Sequence, residues 1–323
     1  MWSERNAPSE AIATRSDVWI QRLDRSGLQI GGRLKLPAKP TDTASVQYFS
    51  QVGQDRFLDE VVFEGREGGT FVDVGAHDGK QINNSYFFEH QRGWTGICIE
   101  PLPHVYERLK ANRSCICIAG AISNETGTAE FLKVAGAPEM LSGLLHDYHP
   151  EQLDRIQREL SASGGDTERI PVATCRLADL FEEHGIEHVD FCSIDTEGSE
   201  LKVVQSIDYQ KVQVDFFIIE NNDQQTDVER FLKSHGYRKV ERVEWDDVYA
   251  HPAVLDDWWR RKRARDPRVQ RLARLGPLPG AAAAALALAA AALGVAPSLA
   301  LPLTSVFVSL AVLGFWARRV VAA

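Results

Sequence analysis

Short apolar segments alternate with amphipathic ones from Tyr48 to about residue 250. Five apolar runs of five to seven residues predict strands at 70–74, 96–100, 115–119, 189–195 and 216–220. Segments with helical spacing predict helices at 54–63, 84–91, 104–112, 150–161, 177–184, 198–205 and 226–235. Helices of this length between strands predict an α/β fold with a doubly wound, mostly parallel, Rossmann-like sheet.

A long uncharged segment lies near the end of the chain. Between Arg274 and Arg318, 43 consecutive residues carry no charge. At ~1.5 Å per helical residue this is about twice the ~30 Å thickness of a bilayer core. Pro297 and Pro302 interrupt it, because proline lacks a backbone donor. The pattern predicts a C-terminal transmembrane helical hairpin within 276–323, or a single span if the alanine-rich first half does not insert.

Charge is divided unevenly along the chain. Residues 255–323 carry 10 basic and 3 acidic side chains, and the residues before them carry 26 and 42. An acidic body does not attract phosphates, which argues against a nucleic-acid partner. Basic residues on both sides of the predicted hairpin place the large domain in the cytosol. We therefore predict a loosely ordered arm (1–45), a main domain (46–254), a basic juxtamembrane linker (255–275) and the membrane segment.

The turn after the first predicted strand is the first candidate binding site. In GGTFVDVGAHDG, Asp73 ends the strand, and Gly75 and Gly79 lie in the turn. Ligands of open α/β sheets bind at the carboxyl ends of strands, and glycine permits close approach of the backbone. The dinucleotide fingerprint G-x-G-x-x-G is absent, and Asp78 would repel a diphosphate. A ligand with a cationic ammonium or sulfonium group is expected, and His77 is a further candidate contact or a backbone hydrogen-bonding residue.

The next two strands add candidate nucleoside contacts. Glu100 ends the second strand, where its two oxygens suit both hydroxyl groups of a ribose. Ala121 and Ile122 follow the third strand and would border an adenine ring. Asn84 would bind the carboxylate of the same ligand, or cap the helix that follows it.

These segments together resemble a known family. YFSQVGQDRFL, FVDVGAHDGKQINNSYFFE, GWTGICIEPLPHVYERLKANR, AISNETGTAEF and DFCSIDTEGSEL are similar to FkbM-type S-adenosylmethionine (AdoMet)-dependent methyltransferases, over about Tyr48 to Tyr249. The resemblance implies a class I methyltransferase fold. It also implies that the methionine part of AdoMet lies near Asp73 and Gly75 and that its ribose lies on Glu100.

Three acids after the fourth and fifth strands are candidate catalytic residues. In that fold the region faces the departing methyl group, so Asp195, Glu197 and Glu220 are candidates for deprotonating an acceptor hydroxyl. A helix-stabilising role for Glu197 is the alternative. Their oxygens would also suit Mg²⁺ or Mn²⁺, although no metal is expected.

The segment GAPEMLSGLLHDYHP predicts a mobile lid, in which Ser142 and His146 are candidate acceptor contacts. We expect a membrane-tethered O-methyltransferase that acts on a sugar hydroxyl of a glycan, glycolipid or lipid-linked precursor at the cytosolic face. Two alternatives stay open at this point. One is an NAD(P)-dependent oxidoreductase on the same type of sheet, and the other is a non-catalytic membrane scaffold with a degenerate cofactor fold.

Overall fold

The computed structural model describes residues 17–23, 29–35, 46–222 and 224–265. The chain divides into two compact units, Met1–Asp256 and Asp257–Ala323. The predicted membrane hairpin and the second half of the predicted basic linker, from residue 266, lie outside the described residues. Among the helices that the structure does describe, none is long and apolar enough to cross a bilayer.

A nine-stranded sheet forms the centre of the first unit. Its strands are β1 (Asp17–Leu23), β2 (Gln29–Lys35), β3 (Thr70–Val74), β4 (Thr95–Glu100), β5 (Ile116–Ala119), β10 (His188–Ile194), β11 (Gln213–Glu220), β12 (Arg238–Val243) and β13 (Asp246–Ala250). Their order across the sheet is β2-β1-β12-β13-β11-β10-β3-β4-β5. Strands β11, β10, β3, β4 and β5 are parallel neighbours. The chain runs outward from β3 to β5 and then crosses to β10, so the topological switch point lies between β3 and β10.

The doubly wound α/β fold is therefore confirmed, but the description of the sheet as mostly parallel is wrong. Strand β13 is antiparallel to both β11 and β12, and β1 is antiparallel to β12 and β2. The sheet is mixed because two hairpins extend its parallel centre. Strands β1 and β2 lie within 1–45, and the division of the chain into an arm and a main domain stays a prediction.

The described helices lie close to the predicted positions, except for the last one, which was not predicted. They are α1 (Gln54–Phe57) continued by a π-helical turn (Leu58–Val62), α2 (Tyr86–Arg92), α3 (Pro103–Asn112), α4 (Pro150–Ser163), α5 (Leu177–His184), α6 (Glu200–Gln205), α7 (Asp227–Ser234) and α8 (Pro252–Ala264). Alternate strand residues pack on opposite faces, as the period of two requires. In β3, Val72 and Val74 join the main aliphatic core, whereas Phe71 packs against Phe191 in an aromatic cluster on the other face.

A second sheet of four strands was not predicted. It has the order β6-β9-β7-β8, with β6 (Ala121–Ile122), β7 (Gly127–Ala135), β8 (Gly143–Leu144) and β9 (Asp166–Cys175). Strands β7 and β9 expose much of their length, so their apolar periodicity is weak. This sheet carries Phe131 and the segment 136–142 to the carboxyl ends of the parallel strands, where the candidate site lies.

Candidate active site

A cavity opens at the carboxyl ends of β3, β4, β10 and β11, beside the switch point of the sheet. Its walls come from the turn after β3, the end of β4, strand β6 and the segment after β10. The segment 136–142, which we call the lid loop, and α4 complete it. Parallel strands bring these segments together because their carboxyl ends share one edge.

The turn after β3 requires glycine at its first position. Gly75 has φ of +84°, and a Cβ placed there would lie 1.9 Å from the carbonyl oxygen of Asp195. The amide groups of Gly75 and Ala76 both donate to the carbonyl oxygen of Ile99 in β4. Any side chain at position 75 would therefore separate β3 from the segment after β10. The turn is part of the cavity wall, as predicted.

Glu100 is placed at the floor of the same cavity. It is 5% exposed, and its two carboxylate oxygens accept hydrogen bonds from the amides of Leu102 and His77, at 2.8 and 3.1 Å. Burial raises the pKa of Glu100 to about 7, against the lowering effect of these two bonds. Each oxygen keeps a further lone pair for a ligand hydroxyl.

An apolar wall lies next to Glu100. Ala121 and Ile122 of β6 are both buried and line the cavity, as do Ile99, Leu102 and Phe131. The flat ring of Phe131 and the aliphatic side chains form a surface suited to a purine. The predicted positions of Ala121 and Ile122 at the cavity agree with this arrangement.

Three predicted cofactor residues do not line the cavity. Asp73 is 4% exposed and accepts hydrogen bonds from Asn83 Nδ2 at 2.9 Å and from Ser85 Oγ at 2.5 Å. A Cβ at Gly79 would meet the side chains of Leu109 and Arg113. Asn84 donates to Ser193 Oγ at 2.9 Å. These three residues contact other protein groups outside the cavity lining. Their direct contact with a cofactor stays a prediction.

The three predicted catalytic acids do converge on the cavity. Asp195, Glu197 and Glu220 each place one carboxylate oxygen within 4.8 Å of the others. Glu197 has φ of +55°, in the left-handed region. At this separation Asp195 and Glu220 perturb each other's pKa, which favours a state in which the two carboxyl groups share one proton.

Burial and mutual repulsion perturb all three acids. Burial among protein atoms, followed by the charge of Glu197, raises the pKa of Asp195 well above its usual range, although its side chain is open to the cavity. Burial and Asp195 raise the pKa of Glu220 in the same direction. Burial and Glu220 also raise the pKa of Glu197, and Arg155 opposes this. Carboxyl groups with raised pKa values are suited to accept a proton near neutral pH.

Four further residues of the cavity were not predicted from the sequence. Arg155 and Glu159 lie one turn apart on α4, and Arg155 Nη1 lies 3.7 Å from Glu197 Oε2. Asn222 donates from Nδ2 to Glu220 Oε1 at 2.6 Å. Trp245, in the turn between β12 and β13, also lines the cavity. In the segment IENN, Asn222 lies two residues after the candidate acid Glu220, which could have indicated it. No comparable signal in the sequence indicates Trp245.

The lid loop lies on the cavity, but the two predicted acceptor residues differ in position. Ser142 lines the cavity, and its Oγ donates to the carbonyl oxygen of Glu139 at 2.6 Å. His146 lies outside the cavity lining and pairs with Asp147 at 3.3 Å. Acceptor contact by either residue stays a prediction.

The residues present suit both a nucleoside and a divalent cation in chemical terms. Asp195, Glu197 and Glu220 offer the hard oxygen ligands that Mg²⁺ or Mn²⁺ prefers. A shared proton between Asp195 and Glu220 and the ion pair from Arg155 relieve the same repulsion without a metal. The prediction that no metal is required therefore stays open to test.

Comparisons with known proteins find a matching family and two similar proteins. Residues 73–239 match the family described as Methyltransferase FkbM domain. The chain is similar to the 31-O-demethyl-FK506 methyltransferase FkbM of Streptomyces tacrolimicus, with 28% identity across 57% of this chain and 78% of the relative. Among solved structures, it is similar to precorrin-6y C5,15-methyltransferase from Geobacter metallireducens GS-15. That similarity has a TM-score of 0.34 and 11% identity, over 65% of this chain and 94% of the other.

Proposed function

We propose that this chain is an AdoMet-dependent O-methyltransferase. The premise is that the chain belongs to the FkbM methyltransferase domain family and is a methyltransferase. Its proposed acceptor is a sugar hydroxyl of a glycan, glycolipid or lipid-linked precursor. The family leaves no support for the oxidoreductase alternative, and the absent dinucleotide fingerprint agrees with that.

One observation carries the choice of chemistry. Asp195 and Glu220 lie together in the same cavity as the Gly75 turn and Glu100. Transfer of a methyl group to a neutral hydroxyl releases a proton, so a base must stand next to the acceptor. A scaffold that had lost its activity would have no need for a cluster of mutually repelling acids, which lower stability.

The cavity fits AdoMet on the cofactor side. Glu100 keeps lone pairs for ribose hydroxyls, and Ile99, Ile122 and Phe131 suit an adenine ring. The Nδ1 atom of His77 is buried and has no hydrogen-bond partner, so it is available to a ligand donor. Bound AdoMet supplies an electrophilic methyl group on a sulfonium and leaves as the neutral thioether.

The residues of the chain align the acceptor and take its proton. A bound AdoMet would supply the methyl group, and the ionised oxygen of the Asp195–Glu220 pair would take the proton of the acceptor hydroxyl as the methyl is transferred. Asn222 holds Glu220 through its amide, and Arg155 balances Glu197. The excess of negative charge also favours a sulfonium over a neutral ligand.

The membrane location rests on the sequence. The uncharged segment after Arg274 and the basic residues around it support a membrane tether with the catalytic domain in the cytosol. A tether would raise the local concentration of lipid-linked acceptors. Nucleic acid is not proposed as an acceptor, because the main domain is acidic.

Incubation of the full-length chain with labelled AdoMet and a cellular lipid extract tests this proposal. We expect a labelled glycolipid whose mass increases by one CH₂ group. Asp195→Asn should abolish the labelling, whereas Asp190→Asn, an acid at the other end of the same strand, should retain it. Labelling of protein or nucleic acid alone would refute the proposed acceptor, and failure of the chain to bind AdoMet would refute the cofactor.

A further inference from the structure

Glu139 of the lid loop brings three basic side chains together at the edge of the cavity. Its carboxylate accepts from His104 Nε2 at 2.6 Å, from Arg108 Nη2 at 2.7 Å and from His77 Nε2 at 3.3 Å. Burial alone would raise the pKa of Glu139, but these three hydrogen bonds outweigh it and lower the pKa to about 2. Glu139 is therefore a carboxylate throughout the physiological range.

These contacts join the lid loop to two other segments of the fold. His77 belongs to the turn after β3, and His104 and Arg108 belong to α3, which follows β4. Residues 137–142 of the lid loop and His77 line the same cavity. Glu139 thus fastens the loop to the cofactor side of the cavity and away from the three catalytic acids.

The contact with Glu139 also decides which nitrogen of His77 faces a ligand. A carboxylate only accepts hydrogen bonds, so Nε2 of His77 must carry the hydrogen. In the neutral ring, Nδ1 is then an acceptor. Nδ1 is buried and has no hydrogen-bond partner. A buried acceptor without a protein partner on a cavity wall is available to a donor from a ligand.

The neighbouring carboxylate identifies the part of the ligand. The amide of His77 donates to Glu100 Oε2 at 3.1 Å, so the ring of His77 stands beside the predicted ribose site. A ribose has two adjacent hydroxyl groups, and each must donate one hydrogen bond. Glu100 keeps a lone pair for one of them, and Nδ1 of His77 is a neighbouring acceptor without a protein partner.

We propose that Glu139 is a positioning residue for AdoMet: it holds His77 with Nδ1 towards a ribose hydroxyl and fastens the lid loop over the bound nucleoside. This inference rests on the proposed function, since it concerns the same cavity. Release of AdoMet or of the demethylated product then requires the Glu139 contacts to break. Glu139 acts on binding and release and does not act on the transfer step.

The dissociation rate of labelled AdoMet from the full-length chain, chased with excess unlabelled AdoMet, tests this role. Glu139→Gln keeps the size of the side chain but weakens three charge-assisted hydrogen bonds, so the rate should rise by at least about tenfold. Glu168→Gln is the matched control, because Glu168 pairs with Lys133 on β7 outside the cavity. It should dissociate at the wild-type rate. Measurement above pH 8 keeps Glu100 ionised in every variant.

A double-mutant cycle separates positioning from a general loss of structure. His77→Asn removes Nε2, and with it the contact to Glu139, and tolerates the φ of +50° at this position. In that background Glu139→Gln should accelerate dissociation by at least about threefold less than in the wild type. The Michaelis constant for AdoMet should rise in Glu139→Gln while the single-turnover transfer rate changes by less than about twofold.

If Glu139→Gln does not fold, Arg108→Gln replaces it, since Arg108 is half exposed on α3. It should accelerate dissociation by about threefold. The proposal is overturned if wild-type protein binds AdoMet but the Glu139 and Arg108 variants release it at the wild-type rate. It is also overturned if the two substitutions of the cycle act independently. Absence of AdoMet binding by the wild type would instead refute the proposed function, and this inference with it.

Discussion

Strands β10 and β11 each carry acids at both ends, and the two ends differ in how the acids are paired. At the amino ends, Asp190 accepts from the amide of Thr70 at 2.8 Å and from Arg66 at 2.5 Å. Asp215 accepts from His188 and Gln213 at 3.1 and 2.7 Å. At the carboxyl ends, Asp195, Glu197 and Glu220 face one another, and within the described residues a single ion pair, from Arg155, offsets them.

This difference indicates a structural role for the acids at the amino ends of the two strands and a catalytic role for those at the carboxyl ends. Both groups of acids have the spacing of a metal site, but at the amino ends each carboxylate oxygen already has a protein partner. At the carboxyl ends the acids repel one another, and their raised pKa values leave them ready to exchange a proton. Unfavourable electrostatics that a fold retains at one edge indicate a functional site.

The largest expected effect is on catalysis. Asp195→Asn or Glu220→Gln removes the proton-sharing pair, so the single-turnover rate of methyl transfer should fall by about 10²- to 10⁴-fold. Asp190→Asn should change that rate by less than about threefold, because Asp190 lies at the other end of β10. Rapid-quench measurement with labelled AdoMet and saturating acceptor extract gives both values. An equal loss of transfer rate in Asp190→Asn would show that the acids at the two strand ends do not differ in function.

Asp190→Asn and Asp195→Asn should change the free energy of unfolding in opposite directions. Asp190→Asn breaks a buried, charge-assisted pair, so the free energy of unfolding should fall by about 2 kcal/mol. Asp195→Asn relieves repulsion and should raise it by up to about 1 kcal/mol. Urea unfolding at pH 7.5 measures both changes.

The gain from Asp195→Asn should also depend on pH. A carboxyl group with a raised folded-state pKa binds more protons in the folded than in the unfolded chain, so its contribution to stability is present at low pH and decreases as pH rises. At pH 4 the wild type and Asp195→Asn should therefore unfold at the same urea concentration. A constant difference from pH 4 to pH 8 would show that the acids do not repel one another.

The affinity for AdoMet should also depend on pH, through Glu100. Because its pKa is raised to about 7, the carboxylate that accepts a ribose hydroxyl is lost as pH falls below 7. The dissociation constant should rise by about tenfold between pH 8 and pH 6. Glu100→Gln should bind weakly at both values with little pH dependence. A wild-type affinity that does not change across this range would remove Glu100 from the binding site.

The smallest effect is expected from metal removal. If a shared proton already relieves the repulsion between Asp195 and Glu220, treatment with EDTA followed by dialysis should leave the transfer rate unchanged within about twofold. Added MgCl₂ or MnCl₂ should not restore or raise it. Activation by either metal would show that the three acids hold a cation, and calorimetry with the metal alone would then measure its affinity.

The positions along the parallel strands could be predicted because they depend on local pattern. Strand β3 was predicted at its observed bounds, and Asp195 and Glu220 were placed at strand ends that the topology brings together. Long-range contacts could not be predicted in the same way. Nothing in the local sequence indicates that Glu139 meets His77, which lies 62 residues away.

The direction of a side chain was also difficult to predict from the sequence. Asp73 was predicted to face the ligand because it ends a strand before a glycine turn. Its carboxylate accepts hydrogen bonds from Asn83 and Ser85, on the same face as Cys98, and its contact with a cofactor stays a prediction. Strands β7 and β9 were missed because exposure on one side leaves them without an apolar period.

Calorimetric titration with AdoMet at pH 8 tests most directly whether Glu100 acts in cofactor binding while Asp195 acts in the transfer step. The account predicts that the wild type and Asp195→Asn bind with the same dissociation constant within about threefold, and that Glu100→Gln binds at least about tenfold more weakly. Absence of binding by the wild type, or equal affinity in the wild type and Glu100→Gln, would contradict it.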